Sequence, residues 1–142
     1  MATARAHSRF PQQPDVIWAL VSDPMAITKW GQGIAEATWD TDTRTVTLES
    51  GVSVRERVVT VDNGLRRFQY EVLPDEGTGI ERHLATVDVL DDPAGSLVMW
   101  SVDVKPDSAG RYMQKVAVGC LEALAAYFAA GAAGNAVPEP AK

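Results

Sequence analysis

The sequence predicts an α+β fold in which a curved antiparallel sheet of about seven strands wraps around one long C-terminal helix. Six segments that alternate apolar and polar residues follow one another between residues 34 and 105, and a further one opens the chain. A single long segment of helical periodicity comes after them. Strands joined by short turns pair antiparallel and need a cover for their apolar face, and only this helix is long enough to supply it.

The elements follow in order from the residue pattern. Residues 3–10 form the first strand, and Pro14 suits the first turn of a short helix because proline lacks only a donor that is orphaned there. Asp23-Pro24 ends that helix, and Asp23 can cap a second short helix at about 25–30. The later strands are predicted at 34–39, 44–49, 52–61, 66–73, 80–90 and 97–105.

The last helix is predicted to open at residue 106 and to reach about Phe128. Its apolar residues stand at core spacing: Met113, Val116, Ala117, Cys120, Leu121, Leu124 and Phe128. Residues 131–142 contain Ala, Gly and Pro without aliphatic periodicity and are predicted to be disordered. We therefore expect one domain over residues 1–130, with a loop at 74–79.

Composition limits the classes of partner. The 142 residues are 46% hydrophobic and 23% charged, as in globular proteins, and the net charge of −6 disfavours nucleic acid and anionic membrane surfaces. Because no segment has the pattern of a signal peptide or a membrane span, we expect a cytoplasmic protein without membrane insertion. Two histidines and one cysteine stand at no metal-binding spacing, so no metal and no cofactor are predicted.

The orientation of Glu56 is the central question for function. It stands between Arg55 and Arg57, which suggests a solvated charge run, yet it alternates with Val54 and Val58. If it shares the face of these valines, a carboxylate lies inside the protein. A pairing error of one residue would reverse the answer, because side chains alternate with a period of two.

The turn at residues 62–64 decides the register of this hairpin. Asp62-Asn63-Gly64 suits a three-residue loop in which glycine adopts the left-handed conformation. The predicted partners are then Val61 with Leu65, Val58 with Phe68, Glu56 with Tyr70 and Val54 with Val72. Since paired residues share a face, Glu56 is predicted to point inward.

The same reasoning turns His83 and Trp100 inward, so Glu56, Tyr70 and His83 form a row across three neighbouring strands about 4.8 Å apart. One interpretation is catalytic, with Glu56 and His83 as general acid and base and Tyr70 stabilising an oxyanion. A second interpretation is that these groups orient a bound ligand. A third is structural: Glu56 and His83 satisfy each other as a buried pair, or Glu56 accepts hydrogen bonds from backbone donors of the short helices.

A fold of this kind leaves space between the sheet and the helix. The residues expected to line that cavity are Val54, Val58, Phe68, Ala85, Trp100, Met113 and Val116, with Trp30 at its mouth. Such walls suit a hydrophobic or aromatic small molecule.

Several segments resemble the START-like helix-grip superfamily (SRPBCC proteins), most closely its polyketide cyclase/dehydrase-like branch. They are residues 14–30 with Trp18, Asp23, Pro24 and Trp30, RERV around Glu56, FQYEV around Tyr70, and VMWSVDV around Trp100. The resemblance covers about residues 3–128 and implies a helix-grip fold. One departure is His83, where that pattern more often has an aromatic residue such as tyrosine.

The resemblance implies a cofactor-free polyketide cyclase or dehydratase that acts on an apolar, carbonyl-bearing substrate by acid/base chemistry. The superfamily also contains carriers and receptors, so a non-catalytic carrier or sensor of a hydrophobic small molecule or lipid is an alternative. A structural or interaction module with a collapsed cavity is a third hypothesis. A homodimer is compatible with each of them.

Overall fold

The computed structural model describes residues 1–74 and 78–135. Its seven strands are β1 (Ala2–Phe10), β2 (Ile34–Asp40), β3 (Thr43–Leu48), β4 (Ser53–Asp62), β5 (Arg67–Val72), β6 (Arg82–Asp92) and β7 (Gly95–Lys105). Helix α1 (Pro14–Val21), a 3₁₀ turn (Pro24–Ala26) and helix α2 (Ile27–Trp30) follow β1. After β7, a 3₁₀ turn (Asp107–Ala109) leads into helix α3 (Gly110–Asn135).

The strands form one antiparallel sheet in the order β1-β7-β6-β5-β4-β3-β2. Helix α3 packs against β1 and β7. The helix residues buried in the core are Met113, Ala117, Leu121, Ala123 and Leu124. The predicted α+β helix-grip fold is confirmed.

The loop of the β4–β5 hairpin differs from the predicted one. Asp62 pairs with Arg67, so the loop holds the four residues 63–66 instead of three. The left-handed residue is Arg66, with φ of 55°, and not Gly64. Asp62 fixes this loop because its Oδ1 accepts a hydrogen bond from the Leu65 N–H at 2.9 Å. Beside this loop the pairing of β4 with β5 differs from the predicted register by three positions, since Val61 pairs with Phe68 instead of Leu65.

An irregularity in β4 between Val58 and Thr60 removes one position of that shift. Val58 therefore pairs with Tyr70, and Glu56 pairs with Val72 rather than with Tyr70. The remaining error is two positions. A shift of two leaves every side chain on its predicted face, so Glu56 points inward as expected although its predicted partner is wrong.

The C-terminal helix is longer than predicted. It continues to Asn135, beyond the predicted end near Phe128, and the disorder expected for residues 131–142 stays a prediction. The alanine-rich sequence from residue 125 onward explains this extension, because alanine has the highest helix propensity. Residues 136–142 of the predicted tail and 75–77 of the predicted loop lie outside the described residues. None of the described helices combines the length and the apolar character that crossing a bilayer requires.

One residue of α3 covers the free edge of β1. The Gln114 Oε1 accepts from the Arg5 N–H at 3.0 Å, and the Gln114 Nε2 donates to the Arg5 carbonyl at 2.9 Å. This side-chain amide thus forms both hydrogen bonds that a residue of a neighbouring strand would form.

Candidate functional site

A cavity of about 360 Å³ lies between α3 and the half of the sheet that α3 does not contact closely. Its sheet side is formed by Arg44, Val46, Leu48, Val54, Glu56, Phe68, Tyr70 and Trp100. Its helix side is formed by Val116, Gly119, Cys120 and Ala123. The volume lies toward the low end of the range of small-molecule sites, roughly 300–1,000 Å³.

The structure brings most of the predicted lining residues together. Those at the cavity are Val54, Glu56, Phe68, Tyr70, Trp100, Val116 and Trp30. Ala85 and Met113 lie outside this lining, in the core, and Val58 packs against that core without lining the cavity. The reason is the position of α3, which lies close enough over β1 and β7 to leave no space there.

The cavity opens beside the segment that joins α1 to β2. Its exposed lining residues are Asp23, Gln32 and Tyr112, which therefore surround the mouth. Asp23 caps the 3₁₀ turn that leads into α2, rather than α2 itself, because its Oδ1 accepts from the Met25 N–H at 3.1 Å.

Inside the cavity, Glu56 is paired with Arg44, the residue directly opposite on β3. The Arg44 Nε donates to the Glu56 Oε1 at 2.9 Å, and Nη2 lies 2.8 Å from the same oxygen. The Arg44 Nη1 donates to the Pro24 carbonyl at 2.6 Å. Arg44 therefore joins the sheet to the helical segment, which is the anchoring that one hypothesis assigned to Glu56.

The Arg44–Glu56 pair is almost entirely removed from water, with side chains 4% and 14% exposed. Burial raises the pKa of the Glu56 carboxyl, and the charge and hydrogen bond of Arg44 oppose this rise. The Arg44 guanidinium also lies over the Tyr70 ring, 5.6 Å from its centroid. Sequence reasoning missed Arg44. The signal was present, since Arg44 alternates with Val46 and Leu48 along β3.

Two polar atoms of this cluster remain free to contact a ligand. Both Arg44 contacts use Oε1, and the Glu56 Oε2 accepts no hydrogen bond from the part of the chain that the structure describes. Burial, and then the neighbouring Cys120 and Glu56, raise the pKa of Tyr70 well above its ordinary value, so its hydroxyl stays protonated.

Trp100 is buried and also lines the cavity, and its Nε1 has no hydrogen-bond partner among residues 1–74 and 78–135. Tyr70 lines the same cavity, so its protonated hydroxyl can donate a hydrogen bond to a ligand there.

His83 lies beyond Tyr70 and outside the cavity lining. The two rings are 5.9 Å apart between centroids. The His83 Nδ1 accepts from the Val72 N–H at 3.0 Å, which places the ring proton on Nε2. Burial lowers the pKa of His83 to about 4. Glu56 and His83 therefore do not satisfy each other, and strand β5 lies between them.

Cys120 lines the cavity as a neutral thiol, because burial raises its pKa to about 12. No group of three or more His, Cys, Asp and Glu side chains that could hold a metal ion comes together in the described residues.

A sheet that grips one long helix over an internal cavity defines the START-like helix-grip class. The chain belongs to the family described as polyketide cyclase / dehydrase and lipid transport, whose model matches residues 1–129. Comparison with curated proteins gave no significant match.

Solved structures with the same fold come from several bacteria. The protein XoxI from Bacillus cereus is 20% identical with a TM-score of 0.82, over 90% of this chain and 96% of its own. An uncharacterized protein from Bacillus thuringiensis is 18% identical with a TM-score of 0.81, over 89% and 98%. A protein from Thermobifida fusca is 27% identical with a TM-score of 0.72, over 89% and 93%. These likenesses support the fold.

Proposed function

We propose that the protein binds a largely apolar, carbonyl-bearing small molecule in the cavity under α3, with the polar end of the ligand at Glu56 and Tyr70. The observation that carries this proposal is the arrangement of the walls, which are mostly aliphatic and aromatic, with the Arg44–Glu56 pair and Tyr70 as polar groups at the inner end. Small-molecule sites are commonly built in this way. The family description, which names polyketide cyclase, dehydrase and lipid transport, agrees with such a ligand.

The leading form of this proposal is a cofactor-free reaction like that of a polyketide cyclase or dehydratase. The Glu56 Oε2 would remove a proton from the carbon beside a carbonyl, and the Tyr70 hydroxyl would stabilise the enolate oxygen. The enolate carbon would attack a second carbonyl of the same molecule, and the resulting alkoxide would take the proton back from Glu56. Glu56 would then remove a second proton beside the carbonyl and pass it to the hydroxyl, which would leave as water as the ring C=C bond forms.

A specific observation favours a non-catalytic carrier or sensor as the second candidate. His83, the expected acid/base partner of Glu56, lies outside the cavity lining, and its Nδ1 is occupied by the Val72 N–H. The remaining carboxylate is held by Arg44. A site with one restrained carboxylate suits the recognition of a ligand as well as its conversion.

The binding proposal can be tested by filling the cavity from α3. Gly119 faces the cavity, and a Cβ added there meets no atom within 4 Å. Gly119→Leu therefore places a side chain at the cavity with room for its Cβ, and it also improves helix propensity. Gly131→Leu is the matched control, because Gly131 is also helical, has the same open surroundings and does not line the cavity.

The measurement is quenching of tryptophan emission by naphthalene and anthraquinone probes, since Trp30 and Trp100 line the cavity. We expect Gly119→Leu to weaken binding by roughly tenfold or more, which corresponds to about 1.4 kcal/mol. Gly131→Leu should bind like the wild type. Equal binding by both variants would show that the probes occupy another place.

Turnover separates the two candidate functions. On linear poly-β-ketones, an enzyme would consume substrate, and Glu56→Gln would lower its rate by roughly 10²–10⁴-fold with a much smaller change in affinity. A carrier would bind the same compounds without consuming them, even as the wild type. Product analysis by chromatography, together with the fluorescence titration, distinguishes these outcomes.

A further inference from the structure

The polar end of the cavity offers an acceptor but no available positive charge. Among the described residues that line the cavity, Arg44 is the single cation, and the structure engages its Nε and Nη2 with Glu56 and its Nη1 with Pro24. Two carboxylates line the same cavity, Glu56 at its inner end and Asp23 at its mouth. Counting one positive and two negative groups, the lining carries a formal charge of −1.

We propose, on the basis of the binding function above, that this site selects uncharged ligands that carry both a hydroxyl or phenol donor and a carbonyl acceptor. It rejects carboxylates of the same shape, and Glu56 sets this preference. The Glu56 Oε2 receives the donor, and the Tyr70 hydroxyl donates to the carbonyl. The ligand class is therefore a neutral hydroxy-carbonyl compound rather than a fatty acid or another organic anion.

Desolvation and hydrogen bonding favour this class together. A carboxylate that enters must leave water, and it finds the one buried guanidinium already neutralised by Glu56. A hydroxyl loses much less hydration and gains a charge-assisted hydrogen bond to the carboxylate oxygen. Glu56 thus acts twice, as an acceptor for the hydroxyl and as the group that keeps Arg44 unavailable to anions.

Three naphthalene probes of similar shape test the proposal in fluorescence titrations at pH 7. They are 2-naphthol, which has a donor, 2-methoxynaphthalene, which has none, and 2-naphthoate, which is an anion. In the wild type we expect 2-naphthol to bind roughly tenfold tighter than 2-methoxynaphthalene, because one hydrogen bond to a charged acceptor is gained. We expect 2-naphthoate to bind most weakly.

Glu56→Gln should change this ranking. It removes the negative charge and leaves Arg44 without an anionic partner, so 2-naphthoate should bind tenfold or more tighter than in the wild type, and the advantage of 2-naphthol should fall to about twofold. Glu71→Gln is the matched control, since Glu71 is also paired with an arginine across the sheet but outside the cavity. Glu71→Gln should bind the three probes in the same order of affinity as the wild type.

If circular dichroism shows that Glu56→Gln does not fold, the double variant Arg44→Gln/Glu56→Gln removes both charges together. The double variant should lose the preference for 2-naphthol without binding 2-naphthoate more tightly than the wild type does. Tighter binding of 2-naphthoate by the double variant would overturn the role given to Glu56. Wild-type protein that binds 2-naphthoate as tightly as 2-naphthol would also overturn it while leaving the binding function intact. Failure of all three probes to bind would instead contradict the binding function itself.

Discussion

Two arginine–glutamate pairs with nearly the same contact distance lie on opposite faces of β4. Arg44 and Glu56 contact at 2.8 Å with side chains 4% and 14% exposed. Arg57 and Glu71 contact at 2.9 Å with side chains 46% and 31% exposed. In each pair the partners stand directly opposite on adjacent strands, and Glu56 and Arg57 are consecutive residues.

The surroundings of an ion pair, and not its contact distance, decide what it contributes to stability. An exposed pair is worth about 0–1 kcal/mol, because water and salt screen it and because ordering two long side chains costs entropy. A buried pair gains little over apolar packing, yet removing one partner costs roughly 3–5 kcal/mol because the other charge is left uncompensated. The buried Arg44–Glu56 pair thus constrains the cavity, whereas the exposed Arg57–Glu71 pair contributes little to stability.

The largest expected effect is that of Arg44→Met, which keeps an unbranched side chain of similar length but removes the charge. We expect the free energy of unfolding at pH 7 to fall by about 3 kcal/mol. The loss should shrink as the pH falls toward 5. The variant raises the already elevated pKa of Glu56 further, so the folded state takes up a proton more readily than the unfolded state does.

Urea denaturation at pH 7 and pH 5 measures this effect, with Arg57→Met as the matched variant on the outer face. If Arg44→Met and Arg57→Met lost equal free energy of unfolding, burial would not decide what these ion pairs contribute. A deficit for Arg44→Met that grows toward low pH would contradict the assigned pKa shift.

An intermediate effect is expected at His83, whose titration changes stability in the opposite direction to that of Glu56. Its pKa is lowered from 6.5 to about 4, so the folded state resists protonation and stability is lost as the pH falls through this window. Allowing for partial exposure, the loss is about 2 kcal/mol. His83→Asn does not titrate and keeps an acceptor near the position of Nδ1 for the Val72 N–H.

Unfolding free energies measured between pH 7 and pH 4 should therefore decline less in His83→Asn than in the wild type, by about 2 kcal/mol. Parallel curves would rule out His83 as the titrating group.

The smallest effect is expected on the outer face. Arg57→Met should change the free energy of unfolding by about 0–1 kcal/mol, and this change should diminish in 1 M salt because both side chains reach solvent. Denaturation at low and high salt checks it. A loss near 3 kcal/mol that salt does not reduce would mean that this pair is not screened.

The inward orientation of Glu56 was predictable, although its pairing was not. Inward and outward side chains alternate along β4, and a register error of an even number of positions leaves each side chain on the same face. The exact partner depends on the loop at 63–66 and on the irregularity after Val58. Neither has a strong sequence signal, because Asp62-Asn63-Gly64 suits a shorter turn equally well.

The cavity could be predicted only in part, because its extent depends on where α3 lies. Periodicity shows which face of α3 is apolar, but it does not say which apolar residues touch the sheet and which stand away from it. Met113 and Val116 looked alike in the sequence, yet one is buried in the core and the other lines the cavity. Arg44 was missed because the two faces of β3 were not distinguished, although Arg44 alternates with Val46 and Leu48.

The two hydrogen bonds between the Gln114 amide and the Arg5 backbone affect how this chain can associate with others. An uncovered edge strand is a template for β-augmentation, domain swapping and aggregation. With the N–H and the carbonyl of Arg5 already engaged, a foreign strand cannot extend the sheet past the middle of β1 without displacing the amide. Edge-to-edge pairing at β1 is therefore confined to the parts of the strand on either side of Arg5, whereas β2 forms the opposite edge of the sheet.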